Sequence, residues 1–154
     1  MKQMDRKGFV KLAGAGSAAA AAAGVPFVGG LLHHERGTLR FRASGGLPTS
    51  PLPSYATHVV EGTVDLEAQS GTVTSRVLAG HPGATSGIGL PGLSRIIRVT
   101  EVKGSESPIR LRGEIEDRSQ LRRGESPHVE IVVDRSRGVV EAPFLGRQVD
   151  LSLA

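Results

Sequence analysis

The sequence contains no cysteine among its 154 residues. Without thiols it has no disulfides, no thiolate nucleophile, no covalent haem attachment, no iron–sulfur cluster and no cysteine zinc site. We therefore expect packing alone to stabilise the fold, and we predict no cofactor.

Aromatic residues are also scarce, with no Trp, one Tyr and four Phe. Two of the four, Phe9 and Phe27, lie in the N-terminal segment. Stacking on aromatic rings underlies much recognition of sugars and of single-stranded nucleic acid. The scarcity of rings argues against both kinds of ligand.

The excess of positive charge is local. The formal net charge is +4, but residues 1–37 hold five Lys/Arg and two Asp/Glu, which leaves 14 basic and 13 acidic residues beyond them. A nucleic-acid-binding domain concentrates positive charge within the folded domain. The even mixture from residue 38 onward is typical of a solvated surface, and we predict no nucleic-acid partner.

The N-terminal segment has the pattern of a bacterial export signal, in which basic residues precede an Ala- and Gly-rich apolar stretch. Arg6, Phe9, Val10 and Lys11 fall on the twin-arginine pattern, with Lys7 at the position of the second arginine. The segment therefore resembles a twin-arginine (Tat) signal. This resemblance implies an exported protein whose partner is the Tat machinery and which crosses the membrane already folded.

Two alternatives remain open for this segment. A general Sec signal needs only positive charge ahead of the apolar stretch, which the segment also has. Cleavage is expected near Ala21, Ala22 and Ala23, but the apolar character continues to Leu32. An uncleaved segment 12–32 would be long enough to anchor the protein in a membrane.

These patterns divide the chain into three parts. Residues 1–30 are the predicted signal helix or anchor, 31–37 a linker, and 38–154 a single folded domain of ordinary size. The expected location is extracellular, periplasmic or in the cell envelope. Contact with a membrane is expected only through an uncleaved N-terminal segment.

From Thr38 onward, apolar residues recur with a period of two, which indicates β-strands with one buried face. The clearest pair of strands covers residues 55–66 and 72–78, joined by a turn at Ala68–Gly71, and predicts a hairpin. The second of these strands places Val73, Ser75 and Val77 on one face. A polar bend with one helical turn is expected at 117–127.

Counting such segments gives seven or eight short antiparallel strands, and no helix is indicated after residue 32. This predicts an all-β domain, either a closed barrel or a sandwich. Because consecutive hairpins dominate, including a terminal meander of three strands, we favour the up-and-down barrel.

Two connections are rich in turn residues. The segment 44–54 contains Gly and Pro and is predicted as a surface loop. The segment 80–92 contains a formal GxGxxG at Gly87, Gly89 and Gly92. A dinucleotide site requires a helix after this pattern. A β-branched strand follows instead, so we do not interpret the motif as a nucleotide site.

The sequence gives only weak evidence for a pair of acid–base catalytic groups. Glu114 and Glu116 lie two residues apart on one strand, a spacing compatible with paired carboxylates in glycoside hydrolysis. Arg110 and Arg112 share their face, which favours a solvated face with cross-strand ion pairs. No serine lies in a GxSxG elbow, and nucleophilic catalysis is not predicted.

His58, His81 and His128 are the histidines of the folded region, and His128 shares a strand face with Glu130. If the histidines point into the barrel, they could form a metal site or a small catalytic site.

Three classes of function therefore remain. The first is non-catalytic binding of a small apolar ligand or a cell-envelope partner, with loops 44–54 and 80–92 at the mouth. The second is an enzyme or metal protein that uses interior histidines. The third is a structural envelope module that pairs through an exposed edge strand.

Overall fold

The computed structural model describes residues 37–49 and 54–154, and these form a closed eight-stranded barrel. A single 3₁₀ turn, Arg118–Gln120, lies in the polar bend where one helical turn was predicted. The all-β prediction is confirmed, and of its two architectures the barrel is correct. The strands are β1 (Thr38–Thr49), β2 (Ser54–Asp65), β3 (Ser70–Ala79), β4 (Arg95–Lys103), β5 (Ile109–Ile115), β6 (His128–Asp134), β7 (Val139–Phe144) and β8 (Arg147–Leu153).

Every strand pairs antiparallel with its neighbours in sequence, and β1 closes the barrel against β8. The β2–β3 hairpin is the predicted one, and its ladder starts at Asp65 opposite Ser70. The predicted terminal meander is β6, β7 and β8. The closing ladder is short, because it pairs only Ala43 with Leu153 and Ser44 with Ser152.

The interior is filled by the apolar residues that alternate along the strands. Their outward neighbours are mostly exposed, as the period of two predicts. Burial of these side chains is the main source of stability in a chain without disulfides. Buried members of this core include Leu39, Phe41, Val60, Val64, Val73, Ile97, Val99, Ile109, Leu111, Ile131, Val133, Val140 and Leu151.

The prediction of a loop over 44–54 was wrong. β1 continues to Thr49 and β2 begins at Ser54, and the two strands stay paired throughout, so that Pro48 lies opposite Tyr55. Among the described residues, the pairing of β1 with β8 ends at Ser44, and the rest of β1 pairs only with β2. Edge positions tolerate Pro and Gly, because a missing N–H there breaks no second ladder.

The predictions for the N-terminus concern residues outside the described range. These are the export signal at residues 6–11, the cleavage region at 21–23, the anchor at 12–32 and most of the linker. Within residues 37–49 and 54–154, no helix is long and apolar enough to span a membrane.

The antiparallel order places alternate connections at opposite ends of the barrel. The β1–β2, β3–β4, β5–β6 and β7–β8 connections share one end, which we call the long-loop end because it carries segments 80–94 and 116–127. Among the described residues, the other end carries the short β2–β3, β4–β5 and β6–β7 turns.

Candidate functional site

A cavity of about 200 Å³ opens at the long-loop end of the barrel. It is lined by strands β3 to β8, by the β5–β6 connection and by the β7–β8 turn. Its wall combines the apolar residues Ile97, Ile115, Val129 and Pro143 with a larger set of polar and charged residues, namely Ser75, Arg95, Glu125, Ser126, His128, Glu130, Arg147 and Gln148.

The cavity lies where the β6–β7 ladder stops. That ladder pairs residues 132–134 with 139–141 and does not continue toward the long-loop end. Beyond it, the Gln148 side-chain amide donates to the backbone carbonyl of Glu130 at 3.0 Å. A single side-chain hydrogen bond thus crosses the gap that a backbone ladder would otherwise close.

Ser75 and Arg95 form a cross-strand pair inside the barrel. They occupy opposite positions in the β3–β4 register, and both are buried, with 6% and 8% of their surface exposed. Opposite residues on one face of an antiparallel pair have Cβ atoms about 4.5–5.5 Å apart. Two polar side chains therefore lie side by side on a largely apolar interior wall.

The Arg95 guanidinium joins the two long connections. Its Nη1 donates to the carbonyls of Gly92 and Ser94 at 2.8 and 3.0 Å. Its Nη2 donates to the carbonyl of Gln120 at 2.9 Å and to Glu125 Oε2 at 3.5 Å. A buried charge needs such partners to offset its lost hydration. One donor is left over, because Arg95 Nε is buried without a hydrogen-bond partner.

His58 lies next to Ser75 in the barrel interior. It is fully buried, and its Nε2 lies 2.7 Å from Ser75 Oγ. Burial lowers the pKa of His58 to about 4, because desolvation disfavours the charged imidazolium. The ring is therefore neutral near pH 7. Its Nδ1 has no hydrogen-bond partner, and the ring centroid lies 5.3 Å from that of Phe144.

Only His58 of the three predicted histidines lies in the barrel interior. His81 is exposed in the β3–β4 connection, where its Nδ1 accepts from the backbone N–H of Gly83 at 3.3 Å. His128 is exposed and lines the cavity. Among the residues that the structure describes, no three His, Asp or Glu side chains are grouped so that they could hold a metal ion.

Glu130, the predicted partner of His128, belongs to a network of charges on the outer face. Its carboxylate accepts from Arg110 at 3.0 Å and from Arg112 at 3.1 Å, and Arg112 also reaches Glu101 at 3.2 Å. The hydrogen bond from Arg112 is the main cause that lowers the pKa of Glu130. Both Glu130 oxygens thus contact arginines, as expected for a solvated strand face.

The predicted carboxylate pair is part of the same kind of surface. Glu116 accepts from Arg98 at 3.3 Å, and Glu114 forms an ion pair with Arg118. Because each carboxylate contacts its own arginine on an exposed face, the structure confirms the solvated face rather than an acid–base pair.

Of the two segments expected at the mouth, 44–54 and 80–92, no residue that the structure describes lines the cavity. The 80–92 segment turns back onto β3, where Leu78 pairs with Gly89, and the Thr57 hydroxyl donates to the carbonyl of Gly80 at 2.8 Å. The GxGxxG motif lies in this exposed connection and leads into a strand, which agrees with its rejection as a nucleotide site. The cavity is lined instead by the β5–β6 connection and the β7–β8 turn.

Sequence reasoning did not identify Ser75 and Arg95 as site residues. The signal was present, because each polar residue falls in phase with buried apolar positions. Ser75 lies between Val73 and Val77, and Arg95 lies two residues before Ile97. A polar residue in the buried phase of a strand must find partners inside the fold, and this marks it as a candidate.

Comparisons of the chain with models of known protein families, with curated proteins and with solved structures found no match. The class of this protein is therefore described by its fold and its candidate site. It is an up-and-down eight-stranded barrel with a cavity at one end and a polar cluster on the cavity wall.

Proposed function

We propose that the barrel is an exported domain that binds a small, largely apolar ligand in the cavity at its long-loop end. The observation that carries this proposal is the cavity itself, in which Ile97, Ile115, Val129 and Pro143 provide apolar surface among polar and charged residues. Ligand sites in proteins combine apolar surface with polar groups that fix orientation.

The size of the cavity restricts the ligand. Typical sites for drug-sized molecules measure about 300–1,000 Å³, and an apolar cavity of about 150 Å³ is enough to hold benzene. A cavity of about 200 Å³ therefore suits a molecule of one ring or a short branched chain.

The proposed location follows from the N-terminal pattern. Arg6, Phe9, Val10 and Lys11 match the twin-arginine pattern, and the apolar stretch behind them completes an export signal. Absence of cysteine suits a domain that folds before it crosses the membrane, because no disulfide has to form outside the cell. The Tat or Sec machinery is the proposed partner for export.

Binding is tested with benzene as the probe, and saturation-transfer NMR measures the binding. Ile97→Phe places a larger side chain in the cavity wall, whereas Ile96→Phe makes the same change on the outer face of β4, where Ile96 is 47% exposed. We expect saturable binding to the wild type and to Ile96→Phe, and little or none to Ile97→Phe. Circular dichroism verifies that both variants fold. Equal binding to all three proteins, or none to the wild type, would contradict the proposal.

One observation favours a second function. Ser75 lines the cavity, and neutral His58 lies within hydrogen-bond distance of its hydroxyl, as in a nucleophile–base pair for acyl transfer. His58 Nδ1 has no carboxylate to orient the ring, which makes binding the better-supported function. Hydrolysis of 4-nitrophenyl acetate tests the alternative. A rate that does not fall in Ser75→Ala would remove it.

A further inference from the structure

We infer that the ligand of this cavity carries a neutral carbonyl group, whose oxygen accepts hydrogen bonds from the Ser75 hydroxyl and the Arg95 Nε–H. The inference rests on the proposed function and deepens it, because it names the chemical group that the polar cluster recognises.

The first donor is Arg95. A guanidinium offers five N–H donors and no acceptor. Four contacts use its Nη1 and Nη2, while Nε is buried without a partner. Arg95 is only 8% exposed and lines the cavity. A buried donor without an acceptor is unfavourable, so an acceptor supplied by a ligand would stabilise the site.

The second donor is Ser75, whose role follows from the tautomer of His58. If Nδ1 carried the proton, a buried N–H would be left without a partner. If Nε2 carries it, only a lone pair at Nδ1 is left, and buried orphan acceptors are less rare in proteins than buried orphan N–H groups. We therefore assign the proton to Nε2, which donates to Ser75 Oγ at 2.7 Å.

This assignment leaves the Ser75 hydroxyl hydrogen available. Among the described residues the hydroxyl has no other hydrogen bond than the one to His58, and Ser75 lines the cavity. A hydroxyl that already accepts a hydrogen bond donates a stronger one, because hydrogen bonds in a chain polarise one another. Neutral His58 thus prepares Ser75 to donate into the cavity.

The two donors lie on neighbouring strands at opposite positions of the register. A carbonyl oxygen has two lone pairs and accepts two such hydrogen bonds. Ile97, Ile115 and Val129 line the same cavity and offer apolar surface to the rest of the ligand.

The charge of the cluster favours a neutral group. The Arg95 cation is paired with Glu125, and the side chains of both are mostly buried, with 8% and 12% exposed. A carboxylate ligand would place a second negative charge close to Glu125, which is unfavourable where little water screens the repulsion. A ketone, aldehyde or amide avoids that repulsion.

The test compares three probes of similar shape, namely cyclohexanone, methylenecyclohexane and cyclohexanecarboxylate. We expect cyclohexanone to bind at least tenfold more tightly than the other two. We also expect its carbonyl stretching frequency to fall on binding, as a hydrogen-bonded carbonyl requires. In Ser75→Ala the affinity for cyclohexanone should fall about tenfold with part of the frequency shift lost, while the affinity for methylenecyclohexane stays unchanged.

Ser70→Ala is the matched control. Ser70 lies on the same strand as Ser75 but is exposed and does not line the cavity, so its loss should leave both affinities unchanged. Arg95→Gln serves as a second variant if it folds, and it should weaken the binding of cyclohexanone only. Equal affinity for ketone and hydrocarbon would overturn the inference and leave the proposed function intact. Tighter binding of cyclohexanecarboxylate than of cyclohexanone would overturn the inference that the recognised group is neutral. Failure of all three probes to bind would overturn the proposed function and the inference together.

Discussion

The ring of Phe41 on β1 lies across Gly62 on β2, in the space that a side chain at position 62 would occupy. The two residues are directly opposed in the register, and both face the interior. An aromatic ring that covers a cross-strand glycine shields its backbone and fills the volume that the glycine leaves. The large residue of β1 and the absent side chain of β2 are thus parts of one packing arrangement.

Gly62→Ala should destabilise the barrel by about 1–3 kcal/mol, because the added methyl group overlaps the Phe41 ring. In a Phe41→Leu background the same change should cost clearly less, since the flat ring is gone. Urea unfolding of the wild type, both single variants and the double variant measures this coupling. Additive effects of the two changes would show that the ring does not determine the requirement for glycine.

His58 should make the barrel less stable in mild acid. Its pKa is lowered from 6.5 to about 4 in the folded state, so the unfolded chain takes up the proton first as the pH falls. The contribution of His58 is therefore complete above pH 6.5 and is lost as the pH falls toward 4, a total of about 3 kcal/mol.

The measurement is the free energy of unfolding between pH 7 and pH 4.5. His58→Gln keeps a hydrogen-bonding side chain but cannot titrate, so its stability should fall less steeply over this interval. His128→Gln removes an exposed histidine and should follow the wild type. An unchanged slope in His58→Gln would contradict the assignment of this pH dependence to His58.

Asp134 should stabilise the β6–β7 turn above the acid range. Its Oδ1 accepts from the hydroxyls of Ser136 at 2.6 Å and Ser107 at 3.0 Å, and from the N–H groups of Ser136 and Arg137. The hydrogen bond from Ser136 is the main cause that lowers the pKa of Asp134. A lowered pKa means that this contribution is present above the unfolded-state value of 3.8 and is lost as the pH falls through the folded-state value.

Asp134→Asn should therefore lower the melting temperature at pH 7, and the difference from the wild type should narrow at pH 2.5. Thermal unfolding at both pH values measures it. Ser107→Ala removes one donor to Asp134 and should have a smaller effect in the same direction. A difference that stays constant with pH would show that the ionised carboxylate is not what stabilises the turn.

Replacement of Arg6 and Lys7 by two glutamines should block export, because the change removes the charged pair of the twin-arginine pattern. Lys2→Gln leaves that pattern intact and is the control. The secreted fraction, measured by immunoblot of cell and culture fractions, decides the outcome. Continued secretion of the double variant in a strain that lacks the Tat translocase would assign the Sec route instead.

The period of two was sufficient to predict the strands and their inward faces, except for the part of β1 beyond Ala43. Val73, Ser75 and Val77 alternate with outward residues in the sequence as they do in the barrel. Barrel and sandwich could not be separated, because the difference rests on the contact of Ala43 with Leu153, and local patterns carry no information about so distant a pair.

The polar cluster was predictable only in part. Ser75 was placed on its strand face, but its neighbours depend on two registers, one that sets Arg95 opposite Ser75 and one that sets His58 opposite Val77. The loop predicted over 44–54 was wrong for a related reason. Local Gly and Pro content indicates a turn, whereas the long β1–β2 ladder and the free edge of β1 decided the structure.

The short closing ladder also has a kinetic consequence. Seven of the eight ladders in the described part of the chain join strands that follow each other in sequence, and such hairpins form within microseconds. The eighth joins positions about 110 residues apart through two residue pairs. Long-range contacts are slow to form, because the chain between them must first be ordered. We therefore expect closure of the β1–β8 seam to limit the folding rate. Substitutions at Ala43 and Leu153 should then slow folding more than substitutions elsewhere in the barrel that destabilise it equally.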